Sequence, residues 1–252
     1  MTGRLAIVGL GPGDPRYLTP EALAVLADAS DLVGYAPYLA RLTCRPDQRR
    51  HGSDNRAERE RACQAAALAV AGLRVAVVSS GDAGVFAMAS AVFEAIEAGG
   101  PEWRALDIEV VPGISAMFAA AARIGAPLGH DFCALSLSDN LKPWAVVTAR
   151  LTAASSAGFV IALYNPRSRA RSWQLGAAFA LLRPILPAAT PVAFATAVTC
   201  PEERIDITTL AEADPELADM RTLVLIGSAA TRRIDRSGTR PWLYTPRRES
   251  AS

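Results

Sequence analysis

The sequence has little histidine, lysine and cysteine for its 252 residues, and these shortages exclude several kinds of site. Its four cysteines are scattered, with no C-x-x-C pair, and its only histidines are His51 and His130. Zinc, iron–sulfur and disulfide frameworks need closely spaced ligands or pairs, so no metal site is predicted. Lys142 is the only lysine, which leaves little choice for a Schiff base or a phosphate-binding lysine.

The sequence also lacks an excess of charge and a long apolar run. Its 26 basic residues balance 25 acidic ones, which argues against a dedicated nucleic-acid binder. No apolar run reaches the roughly 18 residues of a membrane-spanning helix. The N-terminus enters a short apolar run at residue 5 after a single arginine, too short for a signal peptide. We therefore expect a soluble, cytoplasmic globular protein with no membrane or nucleic-acid partner.

The first 113 residues alternate between β-type and helical stretches. Strands are predicted at 4–10, 74–79 and 107–111, and helices at 19–30, 56–71 and 85–98. Thr19 is expected to cap its helix, with Pro20 in the first turn. Strands that alternate with helices pair in parallel, so this half is predicted to be an α/β domain.

The second half has a different spacing. Helices are predicted at 115–123, 141–151 and 168–182, and strands at 159–164, 191–198, 203–208 and 222–227. The short intervals between the last three strands favour hairpins and a mixed sheet. We place a boundary near residues 112–114, which gives an N-terminal α/β domain (1–113) and a C-terminal α/β domain with a mixed sheet (114–236). Residues 237–252, rich in arginine, proline and serine, are expected to form a loose tail.

Four loops that follow predicted strands carry the functional signals. They read Gly-Leu-Gly-Pro-Gly-Asp at 9–14, Ser-Ser-Gly-Asp-Ala-Gly-Val-Phe at 79–86, Val-Pro-Gly-Ile-Ser-Ala at 111–116 and Leu-Tyr-Asn-Pro-Arg-Ser at 163–168. Ligands collect at the carboxyl ends of strands in open α/β sheets. The first loop is not a dinucleotide or phosphate loop, because Asp14 stands at its sixth position and no Gly-Lys-Ser/Thr follows. The alternative is that the first loop is a plain turn and that Asp82 caps the following helix.

The four loops, in this order, resemble the tetrapyrrole methylase family, the class III S-adenosylmethionine-dependent methyltransferases. Segments 78–89, 111–139 and 163–169 are similar to the branch that methylates a precorrin, a cobalamin precursor, at carbon 17. The likeness covers residues 4–230. Ala83 departs from the proline that many members have after the Gly-Asp pair, and we expect it to change loop stiffness and not the ligand. The resemblance implies two α/β domains with the methyl donor in the cleft between them, and a homodimer.

The resemblance also implies the residues that bind the donor, S-adenosyl-L-methionine, which would leave as S-adenosyl-L-homocysteine. Carried over one by one, they are Pro12, Ser80, Gly81, Asp82, Val85, Ser115, Ala116, Asn165, Ala197, Val198 and Gly227. The last three would line the adenine pocket through backbone groups.

Two steps follow from that resemblance. Methyl transfer from a sulfonium mainly needs proximity and orientation. The macrocycle then contracts, and meso carbon 20 is extruded from the ring as an acetyl group, a rearrangement that needs a base near the hydroxyl group on that carbon. His130, Asp131 and Asp139 are the candidate bases. The alternative for His130 is a surface or helix-capping role, and for Asp139 it is a contact with the substrate or a cap of the helix predicted at 141.

The tetrapyrrole substrate carries acetate and propionate carboxylates, which arginine pairs with bidentately. The predicted contacts are Tyr35, Arg123, Lys142, Arg167 and Arg169, each with solvated charge or ordinary packing as its alternative. Other functions also stay open: a cobalt-containing form of the substrate, methylation at another ring position, a nicotinamide oxidoreductase or a non-catalytic donor-binding module. Asp14 argues against the oxidoreductase, and the intact segment 129–139 against the binding module.

Overall fold

The computed structural model describes residues 3–54 and 57–248 and divides into two compact units, residues 1–116 and 117–252. Within the described ranges, every helix is too short or too polar to span a membrane. The predicted helix 56–71 begins at Glu58 in the structure, and Arg56 lies outside the described residues.

The first unit is built on a five-stranded sheet, which confirms the predicted parallel pairing, although only three of its strands were predicted. Its strands, in the spatial order β3-β2-β4-β1-β5, are β1 (Arg4–Gly9), β2 (Asp31–Tyr35), β3 (Arg49–Ser53), β4 (Arg74–Ser79) and β5 (Asp107–Val111). Its helices are α1 (Pro20–Asp28), α2 (Ala36–Leu39), α3 (Glu58–Val70), α4 (Met88–Ala98) and α5 (Pro101–Arg104). The central strands β1 and β4 are almost wholly apolar because helices cover both faces of a parallel sheet. Thr19 caps α1 as predicted, since its hydroxyl accepts the Ala22 N–H at 3.1 Å.

The second unit contains the predicted mixed sheet. Its strands, in the order β10-β9-β11-β8-β7, are β7 (Phe132–Ser136), β8 (Val160–Tyr164), β9 (Pro191–Thr196), β10 (Arg204–Thr209) and β11 (Thr222–Ile226). β7 and β8 are parallel, whereas β8–β11, β11–β9 and β9–β10 are antiparallel. The helices are α6 (Ala116–Ile124), α7 (Trp144–Ser156) and α8 (Gln174–Leu182).

Strand direction decides which loops of the second unit share an edge of its sheet. Because β8 and β9 both run antiparallel to β11, the carboxyl ends of β7, β8 and β9 lie at one edge. We call this the Asn165 edge, after the residue that follows β8. The opposite edge holds the residue before β7, the start of β9 and the end of β11.

The C-terminal segment differs from the expected loose tail. Strands β12 (Arg232–Arg236) and β13 (Thr239–Tyr244) pair with each other and with the short β6 (Gly125–Ala126). Leu243 is 2% exposed, and the Thr245 hydroxyl donates to the Pro127 carbonyl at 2.6 Å. A few anchoring side chains outweigh the polar composition on which the prediction relied. Residues 249–252 of the predicted tail lie outside the described part of the chain.

The helix predicted at 168–182 begins only at Gln174. Before it, Ser168 and Arg171 exchange two backbone hydrogen bonds, with N···O distances of 2.9 and 3.1 Å, and form a turn. The loop after β8 is therefore longer than the composition indicated, and it adds side chains to the Asn165 edge.

Candidate active site

Three loops of the first unit, those after β1, β4 and β5, touch through their backbones. Gly11 and Gly81 exchange two hydrogen bonds, with N···O distances of 3.0 and 2.8 Å. Their φ angles of 69° and 70° lie in the left-handed region, which glycine adopts at least cost. A Cβ on Gly113 would lie 2.3 Å from the Gly81 carbonyl oxygen. The glycines therefore allow a backbone contact between the loops that larger residues would prevent.

Asp82 joins the second loop to the third. Its Oδ1 accepts the Gly84 N–H at 2.8 Å, and its Oδ2 accepts the Gly113 N–H at 3.0 Å. It does not cap α4, whose first N–H, that of Met88, is bound by the Ser79 hydroxyl at 3.1 Å. Each carboxylate oxygen has a second lone pair, so Asp82 is held in place while it can still accept hydrogen bonds from a ligand.

Arg41, which was not among the predicted site residues, joins the first loop to the second. Its guanidinium donates to the Ser80 hydroxyl at 3.3 Å and to the Gly13 carbonyl at 2.8 Å. Arg41 follows β2 and α2, neither of which was predicted. The β-forming residues Leu32, Val33 and Tyr35 were the available signal, because a strand there places the next residues at the same edge as the other loops.

The first unit thus gathers seven of the predicted donor-binding residues at the carboxyl ends of its strands. They are Pro12, Ser80, Gly81, Asp82, Val85, Ser115 and Ala116. Tyr35 ends β2 at the same edge, and its ring meets the Tyr38 ring edge to face with 5.1 Å between centroids.

Asn165 is fixed by its neighbours on the second unit's sheet. Its side-chain amide donates to the Ser136 hydroxyl at 3.0 Å, and the Arg171 guanidinium donates to its carbonyl at 3.0 Å. Its φ of 52° is left-handed, a conformation that asparagine tolerates better than most residues. The loop after β8 is therefore rigidly placed at the Asn165 edge.

Asp139 follows β7 and lies at this same edge. The side-chain amide of Gln174 donates to both carboxylate oxygens, at 3.2 and 3.1 Å. Gln174 is 2% exposed, so the carboxylate is held by a buried group at the start of α8.

A strained turn follows β9 at the Asn165 edge. Ala197 and Thr199 have φ angles of 50° and 70°, which is unusual for alanine and rarer still for a β-branched residue. The Glu203 carboxylate accepts the Thr199 N–H at 2.7 Å and the Arg123 guanidinium at 2.9 Å. Burial by itself raises the pKa of Glu203, but these two hydrogen bonds and the charge of Arg123 outweigh it and lower the pKa. Such strain persists only where surrounding contacts hold it, and it is frequent at functional sites.

Gly227 lies away from that turn. Its N–H donates to the Pro191 carbonyl at the start of β9, at 2.9 Å, whereas Ala197 and Val198 follow the end of the same strand. Six residue steps along a strand span about 20 Å. This placement contradicts the prediction that the three residues line one adenine pocket, because Gly227 is at the opposite edge of the sheet.

The three candidate bases are also separated. His130 and Asp131 precede β7, while Asp139 follows it, again about 20 Å along the strand. His130 Nδ1 lies 3.8 Å from a carboxylate oxygen of Asp131, whose side chain is 78% exposed. The structure therefore brings Asp139 alone of the three to the Asn165 edge.

The four predicted carboxylate-binding cations fall into two groups. Arg123 is bound to Glu203, and Arg167 lies 2.5 Å from a carboxylate oxygen of Glu216. Lys142 and Arg169 lie in the loops after β7 and β8, at the Asn165 edge.

Comparison with known proteins identifies the family of this chain. A family model described as Tetrapyrrole (Corrin/Porphyrin) Methylases matches residues 4–214. The chain is 58% identical to a precorrin-3B C(17)-methyltransferase of Sinorhizobium sp, over 98% of this chain and 97% of that one. It is 41% identical to a probable cobalt-factor III C(17)-methyltransferase of Salmonella typhimurium, over 90% and 93%. The crystal structure of the methyltransferase CobJ superposes with a TM-score of 0.92 at 52% identity, covering 97% of this chain and 100% of that one. The resemblance that the strand-end loops indicated is thus confirmed, and the chain belongs to the tetrapyrrole methylase family.

Proposed function

We propose that this protein methylates precorrin-3B at carbon 17 with S-adenosyl-L-methionine as the donor, and contracts the ring to give precorrin-4 in cobalamin biosynthesis. The observation that carries the proposal is the 58% identity, over nearly both full lengths, to a protein named for that methylation. Identity to the relative named for cobalt-factor III is lower, at 41%, so the cobalt-containing substrate is the second candidate. We also propose that the protein acts in the cytoplasm as a homodimer.

The loops of the first unit fit such a donor. The close contacts of Gly11, Gly81 and Gly113 leave backbone groups unshielded by side chains. Asp82 is oriented by two backbone N–H groups and keeps lone pairs for the amino or hydroxyl groups of the donor. When bound, S-adenosylmethionine supplies an electrophilic methyl group on a sulfonium. The task of these loops is then orientation, for which effective molarities reach on the order of 10⁵ M.

In the second unit, Asn165, Ala197 and Val198 stay the proposed donor contacts, and Gly227 is withdrawn. The support for Ala197 and Val198 is the strained turn that contains them, which Glu203 and Arg123 hold in place. Arg123 is accordingly proposed as a positioning residue for this turn, and not as a substrate contact.

Asp139 is the proposed base for ring contraction. It shares the Asn165 edge with Asn165 itself, whereas His130 and Asp131 lie at the other edge. The Gln174 amide orients its carboxylate without supplying a charge that would oppose proton uptake. In that role Asp139 accepts the proton of the hydroxyl group on carbon 20 as the ring contracts.

The direct test is one incubation with S-adenosylmethionine and enzymatically made precorrin-3B, followed by mass and absorbance analysis. We expect the gain of one methyl group, together with the chromophore change of ring contraction. Turnover of cobalt-factor III and not of precorrin-3B would favour the second candidate. Methylation of neither, with donor binding intact, would refute the carbon-17 proposal.

A further inference from the structure

Two loops at the Asn165 edge expose large apolar side chains. Leu141, in the loop after β7, is 93% exposed, and Trp173, at the end of the loop after β8, is 52% exposed. The Trp173 ring meets the Trp144 ring at 72°, with 4.9 Å between centroids. Trp144 in turn packs against the buried core of the second unit. Trp173 is therefore fixed on one side and open to solvent on the other.

The two loops contact each other on both sides of the segment that carries Leu141. At one end Asp139 accepts two hydrogen bonds from Gln174, and at the other the Trp144 and Trp173 rings meet edge to face. Only four residues, 140–143, lie between these anchors. Leu141 is consequently held out into solvent by a short, tethered loop, although exposure of a leucine by itself has no stabilising effect.

Gln174 gives a second sign that this arrangement is not built for stability. Within residues 3–54 and 57–248, its Oε1 atom accepts no hydrogen bond, although the residue is buried. The amide cannot be reversed, because Oε1 would then face the Asp139 carboxylate. A buried acceptor without a donor is destabilising. We therefore attribute the presence of glutamine at position 174 to the loop geometry that its side chain imposes, and not to a gain in stability.

The same two loops also carry cations, Lys142 beside Leu141 and Arg169 four residues before Trp173. In the part of the chain that the structure describes, no carboxylate forms an ion pair with Lys142, Arg150 or Arg169, whereas Arg167 nearby in sequence is paired. Burial, and then the charge of Arg150, lower the pKa of Lys142. An anion beside Lys142 would counter this lowering, because a negative charge stabilises the protonated amine.

We propose that Leu141 and Trp173, flanked by Lys142 and Arg169, form the surface that recognises the tetrapyrrole substrate. The two apolar side chains contact the macrocycle, and the two cations bind its peripheral carboxylates. The inference rests on the proposed function and deepens it, since it locates substrate recognition on the loops after β7 and β8. An apolar ring system bordered by carboxylates is complementary to an apolar patch bordered by unpaired cations.

Uroporphyrin III, a stable macrocycle with eight carboxylates, is a suitable probe for calorimetric titration. We expect Leu141→Ser and Arg169→Gln each to weaken its binding about tenfold, as one lost apolar or charged contact does. Raising KCl from about 0.05 to about 0.5 M should shrink the loss in Arg169→Gln and leave that in Leu141→Ser, because salt screens only the charge. Matched controls are Ile234→Ser and Arg232→Gln, exposed residues of β12, which should bind as the wild type does. Both test positions are on exposed loops, so the variants are expected to fold.

The same variants are then assayed with precorrin-3B. We expect KM for the substrate to rise about tenfold, with the affinity for S-adenosylhomocysteine unchanged. If the wild type turns over precorrin-3B and both variants keep the wild-type KM and the wild-type porphyrin affinity, the proposed recognition surface is refuted. The proposed function would stand in that case. If porphyrin binding depends on Leu141 and Arg169 but the wild type methylates no precorrin, the recognition surface is supported and the proposed function is refuted.

Discussion

Replacing Asp82 by alanine tests whether the first-unit loops are preorganised for the donor. The substitution removes two charge-assisted hydrogen bonds, at 2.8 and 3.0 Å, that tie the second loop to the third. Bonds to a charged group contribute about 1.5–3 kcal/mol each. Because Asp82 is partly exposed, water can replace part of the lost hydrogen bonding. We therefore take the lower value for each of the two bonds and expect a total loss of about 3 kcal/mol.

If the donor binds these loops in the geometry that Asp82 maintains, that loss appears in donor affinity. About 3 kcal/mol corresponds to roughly a hundredfold rise in Kd for S-adenosylhomocysteine, measured by calorimetry. Asp82→Asn keeps one acceptor oxygen and should lie between alanine and the wild type. Asp107→Ala is the control, since that carboxylate is 77% exposed and 3.8 Å from Arg4. A Kd for Asp82→Ala within about threefold of the wild type would refute the reasoning, because it would leave less than 1 kcal/mol for both bonds.

Three further outcomes follow from the structure. Gly113→Ala places a Cβ 2.3 Å from the Gly81 carbonyl, so we expect at least about 3 kcal/mol of destabilisation and weaker donor binding; an unchanged Tm would contradict this. The lowered pKa of Glu203 means that its stabilising effect is present above the ordinary glutamate range and is lost as the pH falls through the lowered value. Glu203→Gln should therefore cost about 1.5 kcal/mol in urea unfolding near pH 7, and the cost should shrink as the pH falls below the ordinary glutamate range; a cost that does not change with pH would be inconsistent with the ion pair. Asp139→Asn should lower the yield of ring-contracted product at least tenfold with donor affinity unchanged, while His130→Ala has the smaller effect; the reverse order would remove Asp139 as the base.

The local sequence pattern was sufficient to predict those features of the structure that depend on residues close together in the chain. The β-type runs at 74–79 and 107–111 are strands with the predicted bounds, and Thr19 caps the helix that its position indicated. The spacing of the last strands indicated a mixed sheet, and β9 and β10 form one of the expected hairpins. The other expected hairpin is absent, because β9 lies between β10 and β11. The sequences of the strand-end loops were sufficient to indicate the family, because their glycines occupy positions where few other residues fit.

Tertiary structure alone decided which of the predicted residues come together. Asp82 binds Gly113, 31 residues away, and Arg123 binds Glu203, 80 residues away, and no local pattern marks either partner. Similarly, Asp139 is separated from His130, and Ala197 from Gly227, because the two members of each pair lie beyond opposite ends of the sheet. Residue types and their order were therefore sufficient to identify the family and to locate the loops that carry the predicted site residues. The pairing and direction of distant strands determined the edge that each loop reached, since those depend on packing across the whole sheet.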